Sequence, residues 1–493
     1  MTAALICTLI LPRARAEEDV ITVNPASEPF TREETLEMAE QAAAAFYADE
    51  DLRDELASEI TLEWEDVPAE NYPTEKHPVY TLTHGGKSMR FFMETVWEPD
   101  ENGRYPLYIT LHGDGGGAAE MNNCEWLTMA QYYRGSVESG IYVACRGITD
   151  TWDLHFQPDS YPLYDRLIQA MTVLYNADPD RVYLLGFSAG GDGVYQVAPR
   201  LADRFAAVNM SSGHPNGVSL LNLANCPICL QAGIRDWYSE SAMRSVRAAE
   251  FETVLSEYRE KYGFGYEHRV CIHVPEGHNF VDYRDDDSVI LRDPAQFAAF
   301  AAPEVLEVFL DAQEACGLGR DVSMMSYFGA GQNETFDQAV TEAVTETLGL
   351  ETVTQNTSAV RWVSQYTRNP APEKLVWDLS TRAGTREKDT FFWLEAEPDV
   401  SRGVITAAFD AETNTITVEA EDVDGDFAIL FHPALADVSR PVTVRAGDAV
   451  RTVRVNPSEE FLKASILENG DPALACVGRI MYSEVVSPEG SME

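Results

Sequence analysis

The chain has few basic residues. Lys and Arg number 36, and only six of these are lysines, whereas Asp and Glu number 81, so the net charge is −45. Nucleic-acid binding depends on Lys and Arg that neutralise phosphates, so we expect no nucleic-acid partner. The same charge disfavours anionic membranes and polyanionic substrates. This composition is typical both of proteins from saline habitats and of genomes with biased base composition.

Long apolar runs are also absent. No stretch reaches the roughly 18 uninterrupted apolar residues that a membrane-spanning helix needs, so we expect no integral membrane segment. Eight cysteines in 493 residues are too sparse for a disulfide framework. Cys226 and Cys229 have C-x-x-C spacing, but they lead into an apparent strand rather than a helix, which argues against a redox pair. A zinc site of this type would need a second C-x-x-C pair, and the sequence has none. We expect neither a metal nor another cofactor.

The first residues resemble a secretory signal peptide. Residues 3–11 are apolar and precede Ala14 and Ala16, which form an A-x-A pattern. The basic segment that usually comes first is missing. We expect a signal peptide over residues 1–16 and a secreted or extracytoplasmic protein, with the cytoplasm as the alternative.

After residue 16 the pattern of predicted strands and helices changes along the chain. The length of the chain also requires more than one domain. Strands and helices alternate in the middle, which predicts a mostly parallel sheet with helices on both faces. Short strands separated by turns near the end predict an antiparallel all-β domain. The predicted units are an N-terminal helical segment (17–72), a catalytic α/β domain (73–292), a helical insertion that forms a lid (293–372) and a C-terminal β domain (373–493).

The motif GFSAGG over residues 186–191 directly follows the apolar strand 182–185. G-x-S-x-G between a strand and a helix is the nucleophile elbow, a sharp turn that presents the serine hydroxyl above the sheet. Small residues on both sides of the serine let strand and helix pass closely. The motif therefore predicts Ser188 as a catalytic nucleophile.

A glycine-rich loop, LHGDGGG over residues 111–117, follows another predicted strand. Acyl transfer needs N–H donors directed at the developing oxyanion, and glycine-rich turns leave such groups unobstructed. We assign the donors to Ala189 together with Gly113 or Asp114. A plain tight turn is the alternative, and the phosphate-loop spacings are absent.

Two further residues complete the pattern in the order Ser, Asp, His. Asp236 ends a glycine-containing turn after the strand that begins near Ile228, and His278 ends the loop after the strand 269–274. The acid would accept a hydrogen bond from the histidine Nδ1–H, and the histidine Nε2 would take the proton of Ser188.

Three other residues are candidates for substrate binding. Trp152 and His155 lie in a loop before the helix 164–175, and His214 follows the strand after the elbow helix. The first two could line the substrate cleft, and His214 falls at the carboxyl edge of the sheet, where ligands bind. A packing role is the alternative for each of them.

The set LHGDGGG, GFSAGG, GIRD and EGH resembles the α/β-hydrolase superfamily, and within it polyhydroxybutyrate-depolymerase-like and feruloyl- or acetylxylan-esterase-like enzymes. The resemblance covers roughly residues 79–280. It implies Ser188 as nucleophile, Asp236 as orienting acid and His278 as base. Asp114 departs from the family pattern, which usually has a glycine or a neutral residue there, and a carboxylate at this position would repel acidic substrates.

The sequence thus predicts a serine hydrolase that cleaves carboxylic esters, either small molecules or esters linked to a polysaccharide. A peptidase of the prolyl-oligopeptidase type would use the same triad, but the residues before the hydrolase domain are too few for its propeller. A non-catalytic binding protein of the same fold is the other alternative. The sequence leaves the oligomeric state open.

Overall fold

The computed structural model describes residues 20–69, 75–234, 236, 244–273, 276–282, 285–291, 353–382 and 389–487, with a few single residues between 307 and 346. The predicted signal peptide (1–16) lies outside the described residues, as does most of the predicted helical insertion (293–372). The domain boundaries themselves stay predictions.

The described strands, numbered in chain order, are β1 (Val20–Val23), β2 (Ile60–Asp66), β3 (Lys76–His84), β4 (Lys87–Val96), β5 (Tyr105–Leu111), β6 (Gly140–Cys145), β7 (Ala177–Phe187), β8 (Ala207–Ser211), β9 (Ile228–Gly233), β10 (His268–His273), β11 (Asp285–Leu291), β12 (Val353–Asn356), β13 (Lys374–Asp378), β14 (Thr390–Phe391), β15 (Leu394–Ala396), β16 (Val404–Asp410), β17 (Thr415–Glu421), β18 (Phe427–Leu430), β19 (Val442–Ala446), β20 (Ala449–Val455) and β21 (Arg479–Met481).

The described α-helices are α1 (Arg32–Ala48), α2 (Glu50–Glu59), α3 (Ala119–Tyr132), α4 (Ser160–Leu174), α5 (Ala189–Val197), α6 (Arg244–Tyr262), α7 (Ala359–Val363), α8 (Glu459–Asn469) and α9 (Tyr482–Val486). Short 3-10 helices cover Arg134–Ser136, Ala202–Arg204, Leu221–Asn225, Leu379–Arg382 and Pro472–Leu474.

The central sheet has the order β12-β11-β10-β9-β8-β7-β5-β6-β4-β3-β2. Strands β5 to β10 are parallel to their neighbours among themselves, whereas β4, β3 and β2 on one side and β11 and β12 on the other pair antiparallel. The predicted parallel sheet is confirmed, and its architecture is that of an α/β hydrolase. The carboxyl ends of β5, β7, β8, β9 and β10 consequently meet at one edge, where such sheets bind ligands.

Helices cover both faces of this sheet because successive side chains of a buried strand point to opposite sides. In β5, Leu107 and Ile109 join the larger core with side chains of α4, α5 and α6. Tyr108 lies between them and joins the second core with Trp126 of α3 and Val360 of α7. The site edge is therefore supported from both sides.

The N-terminal segment is helical, as predicted: it contains α1 and α2, and a capping box of Thr31 and Glu34 begins α1. It also contributes two strands that the sequence analysis did not predict. β1 pairs parallel with β20 of the C-terminal region, and β2 pairs with β3 at the edge of the central sheet. The β2 strand was missed because Leu62 and Trp64 are exposed, so its pattern lacks a buried face.

The C-terminal region is strand-rich, as predicted, but it is not purely antiparallel. Its sheets have the orders β1-β20-β19-β17-β16-β13 and β14-β15-β18-β21. β17 and β19 are parallel neighbours, and so are β1 and β20. A parallel pair needs a crossover, and the chain between β17 and β19 supplies one by passing through β18 of the other sheet.

Candidate active site

Ser188 occupies the turn between β7 and α5. Its backbone has φ 57° and ψ −119°, a region that non-glycine residues rarely adopt. Two glycines make this turn possible, because a Cβ on Gly186 would lie 2.1 Å from the Gly190 carbonyl oxygen and one on Gly190 would lie 2.0 Å from that of Leu111. The geometry is that of the predicted elbow, and the serine side chain emerges at the carboxyl edge of the sheet.

A continuous hydrogen-bonded chain joins three side chains that are distant in sequence. Ser188 Oγ lies 2.9 Å from His278 Nε2, and His278 Nδ1 lies 3.1 Å from each carboxylate oxygen of Asp236. Asp236 follows β9, and His278 follows the adjacent parallel strand β10. The loop that carries His278 crosses the end of β9 so closely that a Cβ on Gly233 would lie 1.9 Å from the Gly277 carbonyl oxygen.

The electrostatics around Asp236 favour its ionised form. Its side chain is fully buried, and burial alone would raise its pKa. The interaction with His278, its hydrogen bond and the charge of Arg244 together hold the pKa of Asp236 below its ordinary value. Arg244 Nη1 lies 3.8 Å from Asp236 Oδ1. A buried carboxylate of this kind fixes the histidine tautomer and stabilises the imidazolium that forms in catalysis.

The glycine-rich loop passes directly beside the nucleophile. A Cβ on Gly113 would lie 3.3 Å from the Ser188 Cβ. The N–H groups of Gly115 and Gly116 are already bound to Asn122 Oδ1 (3.0 Å) and the Asp150 carbonyl (2.9 Å). These two donors are therefore engaged elsewhere, and the assignment of the oxyanion donor of this loop to Gly113 or Asp114 stays a prediction.

Ala189, the third predicted oxyanion donor, is the first residue of α5. N–H groups in the first turn of a helix have no intrahelical acceptor. The Ala189 N–H therefore adds a donor on the helix side of Ser188, and the helix N-terminus also favours negative charge there.

His155 is fully buried and is hydrogen-bonded to the glycine-rich loop over residues 111–117. Its Nε2 donates to the His112 carbonyl oxygen (2.9 Å), and His112 Nδ1 donates to the Gly113 carbonyl oxygen (2.7 Å). Burial lowers the pKa of His155 to about 3 and also lowers that of His112, so both rings are neutral at ordinary pH. The structure thus gives His155 the packing role that the sequence analysis kept as the alternative to substrate binding.

Trp152 and His214, the other two candidates for substrate binding, differ in their surroundings. Trp152 is 57% exposed, and its backbone lies 3.2 Å from the position of a Cβ on Gly115 of the oxyanion loop. Its ring packs edge-on against Phe156 at 5.4 Å. His214 is partly exposed, and its Nδ1 is paired with Asn216 Oδ1 at 2.9 Å. Trp152 keeps an aromatic face available near the loop, whereas the His214 ring is engaged locally.

Sequence reasoning did not find Ser212, Arg244 or Glu125. Ser212 donates its hydroxyl to the His278 carbonyl oxygen (3.1 Å) and so holds the histidine loop. Its position at the end of β8 was a usable signal, since strand ends converge at this edge. Glu125 approaches the oxyanion loop from α3. No signal pointed to it, because α3 itself was not predicted.

Within the described residues, no group of three or more His, Cys, Asp or Glu side chains is arranged to hold a metal ion. None of the described helices combines the length and hydropathy required to cross a bilayer. The Cys226 and Cys229 thiols are free and buried, and burial raises the pKa of each. Raised thiol pKa values oppose redox reactivity.

Two proteins are similar to part of the chain in sequence. A 114-residue stretch, 22% of this chain, is 36% identical to the bifunctional acetylxylan esterase/xylanase XynS20E of Neocallimastix patriciarum. A 117-residue stretch is 32% identical to the putative esterase NocK of Nocardia uniformis subsp. tsuyamanensis. The chain spans only 16% of the first relative's length and 33% of the second's. No family model matches the chain.

Solved structures with local similarity include LpqC, a poly(3-hydroxybutyrate) depolymerase from Bordetella parapertussis, with a TM-score of 0.32, 17% identity, and coverage of 41% of this chain and 84% of that one. Est1E from Butyrivibrio proteoclasticus has a TM-score of 0.28, 11% identity, and coverage of 41% and 90%. On the strand order and crossovers of its own central sheet, and with esterases as its partial sequence relatives, the chain has the α/β-hydrolase fold.

Proposed function

We propose that the protein is a carboxylic ester hydrolase in which Ser188 is the nucleophile, His278 the general base and Asp236 the orienting acid. The observation that carries the proposal is the unbroken series of hydrogen bonds from Asp236 through His278 to Ser188 Oγ. The strained backbone of Ser188 supports it independently, because strain of this kind persists where the surrounding structure maintains it for function.

The first half of the reaction forms an acyl-enzyme. As Ser188 Oγ attacks the ester carbonyl carbon, His278 Nε2 takes the hydroxyl proton and the carbonyl oxygen becomes an oxyanion. The backbone N–H groups of Ala189 and of Gly113 or Asp114 stabilise that charge. When the intermediate collapses, the C–O bond to the alcohol breaks, and His278 returns the proton to the departing oxygen.

The second half releases the acid. His278 Nε2 takes a proton from a water molecule, whose oxygen attacks the acyl carbon and again produces an oxyanion. Collapse breaks the bond to Ser188 Oγ, which regains its proton from His278. Throughout both halves Asp236 remains ionised and accepts the His278 Nδ1–H, and no cofactor is required.

For the substrate we propose an ester of a small molecule or an ester linked to a polysaccharide. The second class is supported by one partial relative, which is named as a bifunctional acetylxylan esterase/xylanase. The exposed Trp152 beside the oxyanion loop offers an aromatic surface on which a sugar or an aromatic acyl group can pack. We also propose export, on the sequence pattern of residues 1–16, and N-terminal sequencing of the mature protein would test it.

The test is a comparison of substrates on the full chain. We expect hydrolysis of 4-nitrophenyl acetate and release of acetate from acetylated xylan, with turnover of aminoacyl-4-nitroanilides at least about a hundredfold slower. Preferred cleavage of the nitroanilides would replace the proposal with a peptidase. If a folded protein turned over none of these substrates, that would favour the non-catalytic binding protein.

A further inference from the structure

Glu125 places a carboxylate beside the nucleophile. Its Oε2 lies 3.3 Å from the point where a Cβ on Gly113 would sit, and the Ser188 Cβ lies 3.3 Å from that same point. The carboxylate and the nucleophile therefore flank a single backbone position of the oxyanion loop. Glu125 is only partly buried, so solvent reaches its side chain beside the nucleophile.

Asp114 adds a second carboxylate from within the loop. Its backbone has φ 70°, and its Oδ2 lies 2.6 Å from the position of a Cβ on Gly117. That oxygen is buried and has no hydrogen-bond partner among the described residues. The loop thus holds a carboxylate oxygen without a hydrogen-bond partner at the residue next to Gly113.

Neither charge is neutralised within the described part of the chain, where no ion pair or side-chain hydrogen bond involves the carboxylate of Glu125 or Asp114. Arg146, whose charge acts on Asp114, has its guanidinium bound to Asp150 and to Asn123 Oδ1. Burial and the charge of Asp114 raise the pKa of Glu125, against the opposing effect of His278. Burial also raises the pKa of Asp114, opposed by Arg146 and reinforced by Asp150.

We propose that Glu125 and Asp114 determine the charge selectivity of the site, and that they exclude esters with a negative charge close to the scissile bond while admitting neutral and cationic ones. The inference rests on the proposed function and adds the substrate class to it. A further negative charge brought close to two unpaired carboxylates is repelled, whereas a neutral acyl group is not.

The experiment uses three 4-nitrophenyl esters with acyl chains of equal length: butyrate, hemisuccinate and 4-(trimethylammonio)butyrate. For the native protein we expect kcat/KM to fall in the order cationic, neutral, anionic. Glu125→Gln and Asp114→Asn should each raise the anionic-to-neutral ratio of kcat/KM by about tenfold, which corresponds to ~1.4 kcal/mol. The double variant should raise it further. Asparagine tolerates the left-handed backbone at position 114.

Glu120→Gln is the matched control, because Glu120 is exposed on the same helix α3. Its ratio should equal that of the native protein. Added salt should weaken the discrimination by the native protein, which tests the charge effect without any substitution. An unchanged ratio in both Glu125→Gln and Asp114→Asn, or an anionic ester hydrolysed as fast as the neutral one by the native protein, would overturn the proposal.

Failure of the proposed function gives a different result. If the native protein hydrolyses none of the three esters, the esterase assignment fails, and charge selectivity is then read from the rates at which neutral and anionic fluorophosphonates label Ser188. Slower labelling by the anionic probe, relieved in Glu125→Gln, would still support the charge inference. Equal labelling rates for the two probes would overturn it.

Discussion

At the scale of single residues, Asp236 shows how burial and pairing act together. A fully buried carboxylate is unfavourable unless it is paired, and here both oxygens face His278 while Arg244 adds a nearby positive charge. The result is a permanent acceptor that keeps the His278 Nδ1–H in place and leaves Nε2 free to accept from Ser188. The acid thus acts through the histidine rather than on substrate.

Asp236→Asn tests this positioning role. The asparagine amide is a weaker acceptor for the His278 Nδ1–H than the carboxylate, and it favours the wrong tautomer of the histidine. We therefore expect kcat for 4-nitrophenyl acetate to fall by about 10⁴-fold with little change in KM. Asp448→Asn, at an exposed turn, is the control and should match the native protein. A loss confined to KM would argue that Asp236 shapes the substrate cleft instead.

The sequence could suggest Ser188, Asp236 and His278 because each follows the end of a strand, in the order Ser, Asp, His that the proposed chemistry needs. Their catalytic roles stay predictions. The sequence could not suggest Glu125, since only folding brings α3 beside Gly113. His155 shows the opposite error. Its position in a loop before a predicted helix suggested a role in substrate binding, but its burial against His112 depends on packing that the sequence pattern does not encode.

At the scale of elements, the crossing of β7 and α5 depends on the absence of side chains. Gly186 and Gly190 lie where a Cβ would overlap backbone oxygens, so the elbow can close only with glycine at both positions. Because the overlapping atoms belong to the backbone of β5 and α5, they cannot rotate away as a side chain would. The strand–helix contact therefore fixes the height of Ser188 above the sheet.

Gly190→Ala should force β5 and α5 apart. We expect the free energy of unfolding to drop by about 3 kcal/mol in urea titrations, with loss of esterase activity in the protein that remains folded. Gly135→Ala is the matched control, because a Cβ there meets nothing within 4 Å, and its change should stay within about 0.5 kcal/mol. Native-like activity in Gly190→Ala would contradict the packing argument.

Elements of the catalytic domain could be predicted where apolar strands alternate with helices, and the strands β5 to β10 follow that pattern. An element without an apolar pattern of this kind was not predicted. The edge strand β2, for example, exposes Leu62 and Trp64. The parallel pairing of β17 with β19 depends on a crossover that local sequence does not show.

At the scale of the whole molecule, a buried ion network joins the catalytic domain to the C-terminal region. Asp471 Oδ2 lies 2.7 Å from Arg368 Nη2 and 3.1 Å from Arg204 Nη1, and all three side chains are at most 2% exposed. Burial alone would raise the pKa of Asp471, but the two guanidinium groups lower it to about 2. The partners are far apart in sequence, so no local pattern could have predicted this junction.

Asp471→Asn should therefore destabilise the whole chain. The substitution removes the negative charge that Asp471 shares with two buried guanidinium groups. We expect this to lower the free energy of unfolding by about 3 kcal/mol or more at neutral pH. Because the folded pKa of Asp471 lies below the unfolded one, its charge stabilises the fold above about pH 4, and that contribution is lost as pH falls towards 2. Urea titrations over this range should show a shallower decline for Asp471→Asn.

The control for this prediction is Glu459→Gln, which removes the exposed partner of Lys463. It should change stability little, since exposed ion pairs contribute little. Equal effects of the two substitutions at neutral pH would mean that the junction does not depend on the buried network.

The most direct test of the central claim, an activated Ser188 at the strand–helix turn, is labelling with a neutral fluorophosphonate. The native protein should be labelled stoichiometrically at Ser188, as read by intact mass and peptide mapping, and Ser188→Ala should not be labelled while keeping the native melting temperature. Absence of labelling in the folded native protein, or labelling that persists in Ser188→Ala, would contradict the account.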